Sequence, residues 1–173
     1  MAGPLHPLEI FLKPGDYYFA GRDTRIRTLL GSCVSMTFWH PQLLVGGMCH
    51  YMLPKRGTTF KFKAGHWPEP DGHYADEAIA LLLTEIDAVG APHKEYQVKL
   101  FGGGNMFPET HRDMITPIGI QNVQAARRLA KQHGFTSVSE HLGDIGHRNV
   151  IFEVWSGDVW IKHSQVLPAG ISP

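Results

Sequence analysis

The chain has 173 residues, of which 43% are hydrophobic and 18% charged, a composition typical of globular proteins and not of disordered or coiled-coil ones. Its 16 basic and 16 acidic residues cancel without forming a run of one sign, so the sequence lacks the electrostatic signature of a nucleic-acid-binding or membrane-surface protein. It contains neither a signal-like N-terminal segment nor a stretch near the roughly 18 apolar residues of a membrane span. We therefore expect one cytoplasmic domain over residues 1–173, without membrane insertion and without a nucleic-acid partner.

The first part of the chain predicts three strands. A short strand at residues 8–13 is followed by a loop rich in Arg and Asp. From Val34 to Trp39 apolar and polar side chains alternate, which predicts a strand with one buried face. Strand character resumes in residues 43–53 after a turn at Pro41, because proline presets φ for the second position of a type I turn. The last two strands predict a β-hairpin.

The rest of the chain predicts two helices and further strands. Residues 55–72 have no sustained period, and we expect a long surface loop there. Apolar residues at helical spacing predict a helix over residues 74–89 that stops at Gly90, and a second helix over 120–133 is ended by Gly134. Further strands are predicted at residues 96–101, 136–142, 148–155 and 158–162. The predicted fold is mixed α/β (α+β): a single layered domain with a mostly antiparallel sheet and two main helices packed on it.

The predicted hairpin brings a thiol close to an imidazole. A two-residue loop at Pro41–Gln42 pairs residues whose numbers sum to 83, so Cys33 lies directly opposite His50 with Cβ atoms about 5 Å apart. A histidine beside a cysteine can take up the thiol proton and later protonate a leaving group. An adjacent imidazolium also lowers the pKa of a thiol, which we therefore expect for Cys33. This geometry predicts a nucleophile and its base.

Other cysteines, histidines and glycines give simpler interpretations. Cys49 precedes His50 on the same strand and points to the opposite face, which favours a buried core position. On spacing alone, a Cys and a His at hairpin distance are more often a packing coincidence than a catalytic pair. The eleven histidines show no metal-ligand spacing, so we expect no metal and no cofactor. The Gly102–Gly104 run lacks the Lys-Ser/Thr of a phosphate loop and favours a tight turn or a backbone contact.

Longer motifs carry a family resemblance. The segment Thr28–Val34 (TLLGSCV), followed at the right spacing by Gly47–Pro54 (GMCHYMLP), resembles the CheD family of chemoreceptor glutamine deamidases. Phe101–Met106 (FGGGNM) and the Ile118-Gly119 pair followed by Asn122 are similar to later landmarks of that family. The resemblance extends over most of the chain, and its most specific part is the LGSCV and HxxLP pair.

The resemblance implies a hydrolase that acts on carbon–nitrogen bonds of amides. It would convert glutamines of methyl-accepting chemoreceptors to glutamates in chemotaxis adaptation, through a thioester on Cys33 with His50 as acid and base. The same route could accept glutamyl methyl esters. Backbone N–H groups around Gly31 and Ser32 are the expected support for the oxyanion. In the family, CheD also docks to the phosphatase CheC, which is the second implied partner.

The sequence departs from the family at two points. The family places a threonine that orients the catalytic pair six residues before the cysteine, where this chain has Arg27. Thr28 would face the other side of a regular strand, so it could replace that hydroxyl only if the backbone bulges. A late GGxxGR-like turn is altered to Gly143–Arg148 (GDIGHR).

Two other functions stay open at this point. One is a cysteine hydrolase or transamidase that acts on another protein, and the other is a non-catalytic chemotaxis binding module. The sequence predicts neither substrate-binding residues nor an oligomeric state.

Overall fold

The computed structural model describes residues 3–57, 68–106 and 116–165, in which nine strands and two helices are found. The strands are β1 Leu8–Leu12, β2 Tyr17–Ala20, β3 Thr24–Leu30, β4 Val34–His40, β5 Val45–Cys49, β6 Gln97–Gly102, β7 Ser137–Leu142, β8 His147–Glu153 and β9 Asp158–Ser164. The helices are α1 Ala75–Val89 and α2 Ile118–Gln132, and a single 3-10 turn occupies His93–Glu95. Neither helix is long and apolar enough to cross a membrane.

The strands form two sheets with the orders β1-β3-β8-β9 and β2-β5-β4-β6-β7. Each sheet contains one parallel pair, β1 with β3 and β6 with β7, and its other pairs are antiparallel. The predicted α/β class, with mostly antiparallel pairing and two main helices, is therefore confirmed. The division of the strands between two sheets is additional to that prediction.

Two apolar clusters separate three layers. The first lies between the helices and the five-stranded sheet, and it contains Ile79 and Leu82 of α1 with Met36 of β4. The second lies between the two sheets and contains Met48 of β5 and Phe152 of β8. Burying each such side chain contributes roughly 1.5–3 kcal/mol to folding. The five-stranded sheet is therefore covered on both faces.

This covering corrects the prediction that β4 has one buried face. Ser35 and Thr37, which alternate with the apolar residues, are also buried, because the second sheet covers their side of β4. The loop expected after residue 13 contains two strands, because Tyr18 of β2 pairs with Met48 of β5 and β3 begins at Thr24. Most of the expected loop at 55–72 lies outside the described residues.

The two predicted helices are confirmed, and their ends have the expected glycines. α1 buries Ala78, Ile79 and Leu82 on one stripe, and Gly90 closes it in the left-handed conformation with φ of 79°. Gly134 follows α2 with φ of 77°. A glycine adopts this conformation without the steric cost of a Cβ atom.

The β4–β5 hairpin has a different register from the predicted one. His40 pairs with Val45 and Thr37 with Met48, so four residues form the loop and the paired numbers sum to 85. The direct opposition of Cys33 and His50 is therefore wrong. The pairing shifts by two residues, and because side chains alternate with a period of two, the predicted face is preserved.

Candidate active site

Cys33 lies in the short segment that carries the chain from the four-stranded to the five-stranded sheet. β3 ends at Leu30 and β4 begins at Val34, whose N–H and C=O both bond with Tyr51 at 3.1 and 3.0 Å. Cys33 and His50 each precede one member of this Val34–Tyr51 pair, so both side chains point away from the helices and toward the other sheet. In agreement, partly buried Cys33 packs against the cluster between the sheets.

Three consecutive carbonyl groups fix the backbone at Cys33. Gly31 O accepts from Gly104 N at 2.8 Å, and Cys33 O accepts from Gly103 N at 2.8 Å. Between them, Ser32 O accepts from the side-chain amide of Asn122 at 3.0 Å. In a trans peptide the N–H points opposite to the C=O. The N–H groups of Ser32 and Cys33 therefore point away from these partners, and neither bonds to another described residue.

The glycine run Gly102–Gly104, which begins at the last residue of β6, allows this close approach. A Cβ atom on Gly102, whose φ is 108°, would lie 2.2 Å from Cys33 O. One on Gly104 would lie 2.5 Å from Gly146 O. Both separations are far shorter than any normal contact. The expected tight backbone contact is therefore confirmed, and its partner is the cysteine segment.

Asn122 of α2 holds two segments of the site in place. Its side-chain N–H₂ donates to Ser32 O at 3.0 Å and to Met52 O at 2.7 Å, while its backbone O accepts from the Tyr51 hydroxyl at 2.7 Å. The side chain is fully buried. From the sequence, Asn122 is expected only as part of a family landmark, without a role in the site, although a polar residue on the buried stripe of an amphipathic helix is a signal for one.

His50 is 2% exposed, and a threonine holds one of its ring nitrogens. Thr28 Oγ1 lies 2.7 Å from His50 Nδ1 and 2.8 Å from Leu12 O. A carbonyl oxygen only accepts, so the single hydroxyl proton of Thr28 is donated to Leu12, and Oγ1 accepts from Nδ1–H. The neutral ring then has its lone pair on Nε2. This buried nitrogen has no hydrogen-bond partner among the described residues.

The position of Thr28 corrects the expectation that a bulge is needed. β3 pairs regularly with β1 as far as Thr28, and with β8 both before and after it. Buried and outward-facing residues alternate along it, and Thr28 shares the buried face with Ile26 and Leu30. Arg27 points outward, with its guanidinium 3.8 Å from Glu9. The regular strand itself directs the Thr28 hydroxyl to His50.

Burial sets the protonation of the two candidate reacting groups. It lowers the pKa of His50 to about 4 and raises the pKa of the Cys33 thiol above its usual value. Both groups are thus neutral near pH 7. The expected lowering of the Cys33 pKa is wrong for the resting protein, because desolvation of the thiolate dominates there.

Cys49 lies in the other cluster, on the helix side of the five-stranded sheet. It is fully buried, and burial raises its pKa to about 12. The prediction that Cys49 is a core residue on the opposite face from His50 is confirmed.

The altered turn at Gly143–Arg148 supports the glycine run. Asn105 N donates to Asp144 O at 2.7 Å, and Gly146 N donates to Asn105 O at 3.2 Å. Arg148 is fully buried and donates from Nε to His141 Nδ1 at 2.7 Å and from Nη2 to Gly143 O. The turn therefore holds Asn105 in place, directly after the glycine run that bonds to Gly31 O and Cys33 O. Across residues 3–57, 68–106 and 116–165, no three His, Cys, Asp or Glu side chains are grouped to hold a metal ion.

Comparisons with known proteins give a consistent result. Residues 52–163 match the family model described as CheD chemotactic sensory transduction. The matched range begins after His50, so it does not depend on Cys33 or His50. The chain is 47% identical over 164 residues to a protein of Pseudomonas fluorescens (strain SBW25), covering 94% of this chain and 89% of the relative. That relative is named probable chemoreceptor glutamine deamidase CheD.

Relatives at lower identity carry the same family name. The probable chemoreceptor glutamine deamidase CheD 3 of Dechloromonas aromatica (strain RCB) is 44% identical, with 98% of this chain and 96% of the relative covered. The corresponding CheD 1 of Leptospira interrogans serovar copenhageni is 35% identical, with 91% and 94% covered. The chain belongs to the CheD family.

Proposed function

We propose that this protein hydrolyses the side-chain amide of particular glutamines in methyl-accepting chemoreceptors, releasing ammonia and leaving glutamate. The observation that supports this most is the Thr28–His50 bond, which leaves Nε2 of a buried imidazole unprotonated on the same face as the Cys33 thiol. The names of the relatives agree with this activity. The proposed site of action is the cytoplasm, where both free cysteines would stay reduced.

The first half of the reaction starts from neutral groups. As the Cys33 sulfur attacks the carboxamide carbon, His50 Nε2 takes up the thiol proton. The imidazolium forms only while negative charge develops on the substrate oxygen. The imidazolium retains the Nδ1–H bond to Thr28 Oγ1, and the Thr28 hydroxyl still donates its own hydrogen bond to Leu12 O. Nε2 then donates its proton to the departing nitrogen, which leaves as ammonia, and Cys33 carries a thioester.

The second half regenerates the enzyme. His50 Nε2 takes a proton from water as the water oxygen attacks the thioester carbon, and it returns that proton to the Cys33 sulfur as the bond breaks. The product is glutamate. A glutamyl methyl ester could enter the same route, with methanol in place of ammonia as the leaving group.

The oxyanion of both steps needs donors, and we assign them to the N–H groups of Ser32 and Cys33. The carbonyl groups of the same two peptides, Gly31 O and Ser32 O, are held by Gly104 N and by the side chain of Asn122. The peptide planes are therefore fixed before substrate arrives, and little reorganisation is required during the reaction. Gly31 lies next to Met106, and a Cβ atom on it would lie 3.0 Å from Met106 Sδ, a contact that the flexible methionine side chain can relieve by a small shift.

The arrangement also bears on the alternatives. Arg27 at the family's threonine position favoured a binding module without activity, but Thr28 supplies a hydroxyl to His50. A transamidase would use the same thioester and differ only in the group that attacks it.

From the family resemblance we further propose the phosphatase CheC as a partner, which co-purification with the tagged protein would test.

Ammonia release from a purified receptor signalling fragment tests the proposed activity. Mass spectrometry should show an increase of about one dalton per modified glutamine, and added methylamine should not appear in the product. Cys33→Ala and His50→Ala should each lower the rate at least about 1,000-fold, and the double variant should lose little more. Cys49→Ala is the matched thiol control and should retain activity. Incorporation of methylamine would indicate a transamidase, while activity in Cys33→Ala would refute the mechanism.

A further inference from the structure

A groove of about 430 Å³ lies between α2 and the segment that follows Leu53. Its lining residues are Pro54, Lys55, Gln121, Gln124, Ala125 and Arg128. Gln121, Gln124 and Arg128 recur at helical spacing, so one stripe of α2 forms one wall. We call it the Lys55–Arg128 groove. The function proposed above leaves it without a role.

The groove carries two positive charges that no carboxylate of the described residues compensates. Lys55 and Arg128 are exposed, and neither forms an ion pair in the part of the chain that the structure describes. None of the six lining residues is acidic. The next residue on α2, Arg127, does pair with a carboxylate, that of Glu140 at 2.6 Å. In a chain with no net charge, the groove is therefore a local positive site.

The groove is connected directly to the candidate active site. Asn122, between two of the lining residues of α2, bonds to Ser32 O beside Cys33 and to Met52 O. Met52 and Leu53 are each 40% exposed and connect His50 to the groove along the chain. From Gln121 to Arg128 the helix rises about 10 Å. Asn122 therefore joins the peptide beside Cys33 to α2, and Arg128 lies about 9 Å farther along that helix.

Glutamine is neutral, so its side chain gives the enzyme no electrostatic means of choosing one glutamine over another. A carboxylate elsewhere on the substrate would provide it, because an arginine guanidinium can bind a carboxylate through two parallel hydrogen bonds. Exposed apolar Met52 and Leu53 could pack against the same substrate segment.

We propose that the Lys55–Arg128 groove binds an acidic segment of the receptor close to the target glutamine, and so selects which glutamines are hydrolysed. This inference rests on the proposed deamidase function and adds to it a determinant of specificity. The charges should act mainly on substrate binding, because none of the lining residues belongs to the Cys33–His50–Thr28 site.

Charge reversal separates this role from catalysis. The variants Lys55→Glu, Arg128→Glu and their combination are compared with wild type on a receptor signalling fragment and on an uncharged dipeptide, carbobenzoxy-Gln-Gly-amide. The ratio of kcat/KM for the receptor to that for the dipeptide should fall about fivefold for each single variant and about 20-fold for the pair, mainly through KM. Lys94→Glu reverses an exposed charge on the 3-10 turn and is the matched control.

Ionic strength supplies an independent readout. Raising salt from about 0.05 to 0.3 M should increase the receptor KM of wild type, because screening weakens attraction between exposed charges. It should not increase the KM of the double variant. The proposal is overturned if the receptor-to-dipeptide ratio changes no more than in Lys94→Glu. It is also overturned if the reversals change the sedimentation mass instead, which would indicate a second copy in the groove.

Failure of the deamidase proposal would look different. A wild-type protein that releases ammonia from neither substrate would refute the deamidase function and the role of the groove with it. An active wild type whose receptor KM is insensitive to both charge reversal and salt would refute the groove alone.

Discussion

Burial of His50 should make the folded protein sensitive to acid, and the size of the effect follows from its pKa. The pKa is 6.5 in an unfolded chain and about 4 in the folded protein. Between these values the unfolded chain takes up a proton that the folded protein does not bind, so the free energy of unfolding falls as pH decreases. Each pKa unit corresponds to about 1.4 kcal/mol, which gives a loss of about 3 kcal/mol below pH 4 and none above pH 6.5.

Urea unfolding followed by circular dichroism measures this loss. Wild type and His50→Asn are compared from pH 7.5 to 4.5, because asparagine can keep an N–H near Thr28 but does not titrate. Relative to the variant, wild type should lose about 2.5 kcal/mol at pH 4.5. Taking the difference removes contributions from histidines common to both proteins, such as His93, whose pKa Asp87 raises.

The opposite sign would refute the neutral resting pair. If His50 were an imidazolium beside a Cys33 thiolate, its pKa in the folded protein would lie above 6.5. Wild type would then gain stability relative to His50→Asn as pH falls toward 6.5, and Cys33→Ala would remove that gain. Parallel curves for wild type and His50→Asn would instead show that the imidazole is not desolvated.

Further substitutions test the support of the site. Thr28→Val should lower kcat about 10- to 100-fold with KM unchanged, and Thr28→Ser should restore it; equal steady-state rates for all three would exclude the orienting role. Arg27→Thr should leave turnover unchanged because Arg27 points outward, and increased ammonia release would contradict this. Gly102→Ala should lower the free energy of unfolding by about 2 kcal/mol or more, whereas Gly21→Ala, which has open space around it, should not; equal urea midpoints would refute the close contact with Cys33 O. Asn122→Ala should cost about 2–3 kcal/mol in the same assay, and a change below about 0.5 kcal/mol would show that its two bonds are dispensable.

Local sequence patterns were sufficient to predict the helices and most strands. α1 and α2 have apolar residues at helical spacing and a glycine after the last turn, and both signals lie within a few residues of the element they define. The hairpin register was not predictable in this way. Pro41 indicated a two-residue loop, whereas the loop has four residues and holds Leu44 at φ of 52°, a conformation that leucine rarely adopts.

Contacts between distant segments explain the other differences. β2 has only four residues, and it forms because β5 offers an edge about 30 positions later. Ser35 and Thr37 indicated a solvent-facing side of β4, yet the second sheet covers them. None of these partners leaves a pattern within the strand itself. The face of Thr28 is different, because Arg25 and Arg27 alternate with Ile26 along β3 and this local pattern already places Thr28 on the buried side.

The candidate site depends on the packing of two sheets against each other. His50 follows β5 of the five-stranded sheet, whereas Thr28 and Leu12 belong to β3 and β1 of the four-stranded sheet. The Thr28–His50 bond thus joins the sheets, while Cys33 is held by the glycine run and by α2. A shift of one sheet by about 1 Å would break that bond without unfolding either sheet, and displacements of this size are enough to reduce catalysis strongly. The apolar cluster between the sheets, which includes Met48 and Phe152, therefore stabilises the fold and also maintains the orientation of the base.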